Sequence, residues 1–483
     1  MKMRKAVLIL LFLIVVLGAE AKITLPAIVS SNMVLQRNTT VMVWGWADPK
    51  EKFTLEASWI ESPIKVKADA EGNWKVEVAT TGSKETQTIQ IKSQDETIKL
   101  ENILFGEVWL CSGQSNMVMP MRGFNGQPTF GSNAAIAKSE NSKIRLFVVP
   151  QIGAKTPQRE IGKAASWELA SQESVWKFSA IGYFFGQQLQ EILDVPVGLI
   201  QSGRGGSRVE AWIRKEALSE FREVNIEDAD MAKSRIVPTA HFNGMINPII
   251  PYTIKGALWY QGEGNFTNPE SYKKIFPAMV EDWRTRWGLG DFSFYFVQIA
   301  PYFYNKPDVF NTNTNSAFMR EAQVECVDLI PNSGIAIALD AGEQFNIHPA
   351  KKKEVADRLL YNALSQTYGY EYVDGTSPVY DSLEIQEDKI LLKFKNVDRG
   401  LYAYGELTGF EIAGEDHVFY PAQAKIVNRR DVLVSSEQVP EPVAVRYAWS
   451  NWVVGTLYED SFLPASSFRT DDWEDATRAP KEE

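Results

Sequence analysis

Gly106-Glu-Val-Trp-Leu-Cys-Ser-Gly-Gln-Ser115-Asn-Met117 is the stretch on which the fold turns. Val108 to Cys111 is a short apolar run between glycines, the pattern of a strand buried on both faces. Gly113 then permits a close backbone approach, and Ser115 falls where a turn or helix would begin. A serine there directs its Oγ into a cleft, and its own N–H can join an oxyanion hole. The stretch is not the G-x-S-x-G elbow, because Met117 takes the last position. By itself, Gly-x-Ser-Asn is more often a structural turn than a catalytic one.

Downstream, short apolar strands alternate with helical patterns. Strands are expected at Ile144 to Val149, Val197 to Gln201, Ala257 to Tyr260, Phe294 to Ile299 and Ile335 to Leu339. Amphipathic stretches lie between them at Ala180 to Leu193, Tyr272 to Trp287 and Lys351 to Leu364. That alternation predicts an α/β layer with a mainly parallel sheet, whose chemistry sits on loops after the strand carboxyl ends. Upstream, runs such as Val41 to Ala47 and Trp74 to Val78 alternate with a period of two between Gly- and Pro-containing turns, as in a small β-sandwich. The β pattern returns after Tyr372, from Leu383 to Ala448. The expected organisation is a signal peptide at 1–21, a β-sandwich at 22–103, a catalytic α/β domain at 104–372, a β-rich module at 373–471 and a disordered tail at 472–483.

The signal segment combines Lys2, Arg4 and Lys5, an apolar run from Ala6 to Gly18, and Ala19-Glu-Ala21 as a small-x-small cleavage site. The apolar run is short for a span of about 20 residues, so cleavage before Lys22 is expected rather than a membrane anchor. Export to the periplasm or the extracellular space follows, with no stable membrane association afterwards. Cleavage removes three positive charges and one negative, taking the formal net charge from -11 to -13. Such an acidic chain has no electrostatic footprint for nucleic acid. Cys111 and Cys326 are the only cysteines, too few for a disulfide framework, and Cys111 reads as a buried free thiol. Three histidines scattered through the chain supply no structural zinc set. The 14 tryptophans suit either sugar stacking or core packing.

A serine nucleophile needs a base. His348, in Phe345-Asn-Ile-His-Pro349, follows a predicted strand ending at Asp340 and precedes a helix, which puts it on the same sheet edge as Ser115. His241 is the weaker candidate, structural or lining the cleft, and His417 reads as a surface residue of the late β-module.

The ordered set Leu25-Pro26, Asn32-Met-Val-Leu-Gln36, Trp44-Gly-Trp46, Gly106 to Met117, Ser202 to Trp212 and Trp259-Tyr-Gln-Gly-Glu263 resembles the sialate O-acetylesterase family of SGNH carbohydrate esterases. Arg320-Glu-Ala-Gln323, Ile347-His-Pro349, Val445 to Trp449 and Leu463 to Asp471 extend the likeness. The resemblance implies a flavodoxin-like SGNH layer with β accessory modules, and removal of acetyl groups from sugar hydroxyls through acylation of Ser115, with His348 moving the proton. It implies an O-acetylated glycan as partner, with no metal and no organic cofactor. O-acetylated sialic acid is the first substrate; acetylated xylan, xyloglucan or another plant glycan is the second; a non-catalytic sugar-binding protein is the third. Gly206, in Gly203-Arg-Gly-Gly206, resembles the glycine that lends an N–H to the oxyanion hole, although a tight turn would need glycine equally. Gln261 either donates its side-chain amide there or braces its loop. The third triad member departs from pattern, because Phe345 and Asn346 stand where relatives carry an acid. Glu263 is the preferred replacement, Asp340 the alternative, and a Ser-His dyad oriented by a backbone carbonyl the third choice. Arg204 stands where relatives often carry Trp and Gly264 where a hydroxyl residue is common; Arg204, Arg208 and Arg320 are candidate partners for a sialate carboxylate.

Overall fold

The computed structural model describes residues 23–162, 164–226, 235–304, 315–474 and 476–479. The expected signal segment lies outside the described residues. Among these residues no helix is long and apolar enough to cross a membrane.

The N-terminal strands are β1 (Val34–Gln36), β2 (Thr40–Trp46), β3 (Lys52–Ala57), β4 (Ile64–Lys67), β5 (Asn73–Ala79) and β6 (Gln87–Lys92). β5 shows the cause: Trp74, Val76 and Val78 are buried while Lys75 and Glu77 face water. β2 and β5 form one antiparallel ribbon. β4, β3 and β6 continue antiparallel into β7 (Thr97–Gly113), and Phe53 meets Trp74 edge-on at 5.1 Å between the two layers.

β7 joins these layers to the central sheet. Its first residues pair antiparallel with β6, its last seven pair parallel with β10, and the last five of these also pair parallel with β11. Burial is continuous from Ile103 onward. The border expected at 103/104 therefore falls inside one strand, because the alternating half and the wholly apolar half are extensions of the same backbone.

The remaining sheet strands are β8 (Asn141–Val148), β9 (Glu168–Ala170), β10 (Val197–Gly203), β11 (Gly256–Tyr260), β12 (Ser293–Val297) and β13 (Ser333–Ala336). The order is β13-β12-β11-β7-β10-β8-β9, parallel throughout except for β9. Successive residues of each strand feed opposite cores. Leu110, Trp259 and Phe296 enter one, with Phe276 and Trp283 of the helix Pro269–Trp287. Trp109, Leu258 and Tyr295 enter the other, with Phe185 of Ala180–Leu193 and Leu359 of Lys352–Asn362. Truncating any of these aromatic rings would cost about 3–5 kcal/mol. Ser179 caps Ala180–Leu193 by accepting from the Gly182 N–H at 3.0 Å.

Beyond Val379 a four-stranded and a five-stranded sheet bury Ile390, Val434 and Tyr447 against Ile337 and Leu339, which directly follow β13. Arg320 clamps this module from the helix Ala317–Leu329. It is fully buried and donates to Ser467 Oγ (2.9 Å), Ser316 Oγ (3.1 Å) and the carbonyls of Ala448 (3.1 Å) and Ser450 (2.7 Å). It is not a carboxylate ligand for substrate.

The tail expected to be disordered from 472 is ordered over its described part. Thr477–Arg478 pairs with Val418 and Phe419, and Trp473 stacks on His417 at 3.8 Å. Its charged composition concealed one aromatic anchor, which is enough to dock a short segment. Cys111 and Cys326 are both buried and free, and burial pushes the Cys111 thiol up to about 12.

Candidate active site

Loops after β7, β10, β11 and β13 meet at the carboxyl edge of the sheet around a cavity of about 650 Å³. β7 ends at Gly113, whose φ is +134° and where a Cβ would stand 2.1 Å from the Tyr260 carbonyl oxygen. Only glycine lets the chain close on β11 and turn into the short helix Ser115–Val118. Gln114 ties that turn down: its N–H bonds the Tyr260 carbonyl at 2.8 Å, and its Oε1 accepts from the Gly264 N–H at 3.0 Å. Ser115 thereby stands half-buried at the first position of the helix, lining the cavity.

The glycine turn after β10 forms the facing wall. The Arg204 N–H is taken by the Gly113 carbonyl at 3.0 Å and the Ser207 N–H by the Arg204 carbonyl at 3.3 Å. The N–H groups of Ser115, Gly205 and Gly206 have no acceptor among the described residues. Gly206 lines the cavity as expected, but Gly205 is the closer neighbour: a Cβ on it would lie 3.6 Å from Ser115 Cβ. Gln261 does not join these donors. Its amide nitrogen already donates to the Ser207 carbonyl (3.1 Å) and to Asn265 Oδ1 (2.8 Å), so both its hydrogens are spent bracing the loop.

His348 lines the same cavity on the loop after β13. Its N–H bonds Asn346 Oδ1 at 3.0 Å, and Glu343 holds the loop by accepting from Asn346 Nδ2 (3.1 Å) and the Ala350 N–H (2.6 Å). The residue standing in the usual acid position is thus a turn-former. His348 Nδ1 meets Gln127 Oε1 at 2.8 Å, and Phe124 packs edge-on at 5.1 Å. An amide oxygen only accepts, so with this assignment Nδ1 carries the hydrogen and Nε2 presents a lone pair. Burial, and secondly the charge of Lys352, push the imidazole down to about 4, which leaves it neutral near pH 7. No hydrogen bond joins Ser115 to His348 among the described residues; such contacts are often long until substrate binds.

The acid expected behind His348 lies elsewhere. Glu263 Oε1 accepts from Asn116 Nδ2 at 2.5 Å, and Asn116 Nδ2 also reaches the Ile347 carbonyl at 3.0 Å. Lys352 Nζ donates to Asn116 Oδ1 and to the Pro349 carbonyl, both at 2.7 Å. Glu263 therefore belongs to a buried Glu–Asn–Lys chain that ties the Ser115 turn to the His348 loop. Burial raises the Glu263 carboxyl and lowers the Lys352 amine to about 7. Asp340 is also spent, in a two-pronged pair with Arg358 (2.7 Å each) and a bond from the Tyr458 hydroxyl at 3.3 Å. His241 is fully buried against Trp212, 4.8 Å between ring centroids, and does not line the cavity.

Three arginines line the cavity: Arg204, held by Gln151 Oε1 at 2.8 Å, with Arg208 and Arg235. Gly205 lay inside the glycine block read from the sequence, whereas Gln127, Glu343 and Arg235 carried no signal there, since each owes its place to a loop contact. Gly264 packs under Ser207, whose carbonyl oxygen would lie 2.4 Å from a Cβ there. That leaves no room for the hydroxyl residue common at this place.

A family model described as "Carbohydrate esterase, sialic acid-specific acetylesterase" matches residues 105–355. Human sialate O-acetylesterase is 28% identical over 488 residues, covering 91% of this chain and 91% of its own. The mouse sialate O-acetylesterase is 25% identical over 91% of this chain and 93% of its own. Among solved structures, a carbohydrate acetylesterase from Xanthomonas citri is 32% identical with a TM-score of 0.85, covering 94% of this chain and 100% of that one.

Proposed function

The chain belongs to the carbohydrate esterase family of sialic acid-specific acetylesterases and is a carboxylic ester hydrolase, and from that premise we propose that it releases acetate from O-acetylated sialic acids through an acetyl-enzyme on Ser115. The observation that carries this reading is the meeting of Ser115, His348 and two unpaired glycine N–H groups around one cavity. Ser115 Oγ attacks the acetyl carbonyl while His348 Nε2 takes its proton. The oxyanion is received by the N–H groups of Ser115 and of the Gly205-Gly206 turn. His348 returns the proton to the departing sugar oxygen as the C–O bond breaks, leaving acetyl-Ser115. Water then attacks that ester, giving its proton to Nε2; acetate leaves and the serine recovers its hydrogen. Gln127 holds the Nδ1–H throughout, in place of a carboxylate. Lining arginines favour a substrate bearing its own carboxylate, as a sialic acid does.

Reading β10-β7-β11-β12-β13 by their order along the chain gives 2-1-3-4-5, which supports a flavodoxin-like SGNH layer extended at one edge by β8 and β9. We assign the antiparallel strands up to the first half of β7 to a β-sandwich, the chain from there to 372 to the catalytic domain and the strands after 373 to a β-rich module, with export directed by the segment before Lys22.

The test is acetate release from O-acetyl sialic acids and from acetylated xylan by the mature protein and by Ser115→Ala. Sialate turnover that falls on the order of 10⁴-fold or more in the variant supports the reading. Equal, negligible release by both proteins refutes it, and turnover of xylan alone replaces the substrate.

A further inference from the structure

A second cavity, of about 520 Å³, lies between the β2–β5 ribbon and the segment leading into β11. Its wall carries Trp44, Trp46 and Trp74, with Arg159, Asp69 and Asn73 facing them. Gly45 lets the Thr24 carbonyl and the Trp74 ring pack tightly against this ribbon, since a Cβ there would stand 2.2 Å from the Thr24 carbonyl oxygen and 2.9 Å from the Trp74 ring. The Arg159 guanidinium lies 5.1 Å over the Trp46 ring and donates to Asn73 Oδ1, so its planar fork is held in place before any ligand arrives. Asp69 accepts from Asn73 Nδ2 at 3.0 Å, lining up a carboxylate beside an amide. Trp74 is only 4% exposed, and its indole N–H is buried without an acceptor among the described residues.

Lys67 and Lys75 complete the rim. Three cations thus face one carboxylate, whereas the whole chain carries a formal charge of -11. This local inversion of sign selects an anion. Paired amide and carboxylate groups suit the hydroxyls of a sugar, and the guanidinium fork held over Trp46 suits a carboxylate. We propose that this cavity is a second carbohydrate site, taking a sugar that bears a carboxylate and holding glycan away from the catalytic centre. Asn247, Ile250 and Pro251, which line it, precede β11, whereas the catalytic groups follow the strands' carboxyl ends. The two cavities share no lining residue. The site therefore anchors glycan without entering the reaction.

Isothermal titration of Ser115→Ala protein with sialyllactose, and with lactose as the neutral control, tests this. Sialyllactose should occupy a site that is lost, or weakened at least tenfold, when Arg159→Gln is added and, separately, when Lys67→Glu and Lys75→Glu are added together. With Ser115 intact, the same substitutions should leave hydrolysis of 4-nitrophenyl acetate within twofold. Sialyllactose binding that is unchanged by both sets, or lactose binding that is equally tight, overturns the proposal. Loss of the small-ester activity in the Arg159 and lysine variants also overturns it, because the cavity would then not be independent of the catalytic centre. The small-ester assay of the Ser115 variant alone reports separately on the serine mechanism.

Discussion

Replacing Gln127 by Leu and, separately, by Glu isolates what a neutral amide contributes behind His348. Leucine keeps much of the side-chain volume and leaves the Gln127 backbone bond to the Phe124 carbonyl (3.0 Å) untouched, but removes the 2.8 Å partner of Nδ1. A neutral hydrogen bond of this kind is worth about 0.5–1.5 kcal/mol net, and an imidazole without it divides its time between tautomers. A combined loss of about 1–2 kcal/mol corresponds to a fall in kcat of roughly 5–30-fold. Glutamate instead places a full charge at the same distance. An opposite charge within a few ångströms raises an imidazole pKa by about 1–3 units. From the starting value of about 4, that moves it to roughly 5–7.

The sign is fixed by the role of the imidazole as a base. It works only when neutral, so activity is lost as pH falls through its pKa in the folded enzyme. The wild-type protein should keep its kcat/KM down to about pH 4, where the imidazole takes a proton. Gln127→Glu should lose it one to three pH units sooner, on the order of the shift expected from a neighbouring carboxylate. Initial rates of acetate release between about pH 3.5 and 9, with kcat and kcat/KM separated, decide the matter. A Leu variant with wild-type kcat and an unchanged acid limb would show that Gln127 only braces its loop. A Glu variant whose limb stays near 4 would show that Nδ1 does not face residue 127 in the working enzyme.

Three further outcomes follow from the packing around the site. Glu263→Gln and Lys352→Met should each destabilise the protein by about 1–3 kcal/mol, since each leaves buried polar groups of the Asn116 chain unpaired, and the double variant should recover part of that loss; urea unfolding of all four proteins would show additive losses if the two residues were uncoupled. Asp340→Asn should lower stability by about 3–5 kcal/mol through its buried Arg358 partner, while kcat stays within roughly threefold; a collapse of kcat in a well-folded variant would restore Asp340 as the orienting acid. Gly264→Ser should cost about 1–3 kcal/mol, because the new Cβ meets the Ser207 carbonyl, and a melting temperature equal to wild type would refute that packing argument.

Much of the architecture was legible because a strand records its own surroundings. The alternation of Trp74, Val76 and Val78 with Lys75 and Glu77 states which face is buried. The unbroken apolar run around Val108 to Cys111 states that both faces are. Ala180–Leu193 was readable to its bounds for the same reason, with Ser179 supplying the cap. Ser115 and His348 could be named as candidates since each lies on a loop after a strand of one parallel layer, Ser115 just past β7 and His348 farther along the loop after β13. What surrounds them was not legible. The partner of His348 Nδ1 comes from Gln127, 221 residues away in the chain, and the strand pattern carries no record of that meeting. Glu263 sits in a motif that suggests catalysis, yet the fold turns it toward Asn116. Gln261 had hydrogens to offer until Ser207 and Asn265 claimed both. Periodicity is a local property and survives in the sequence by itself. A hydrogen-bond partner is chosen by which loops arrive together when the sheet closes, and that choice exists only in the tertiary structure.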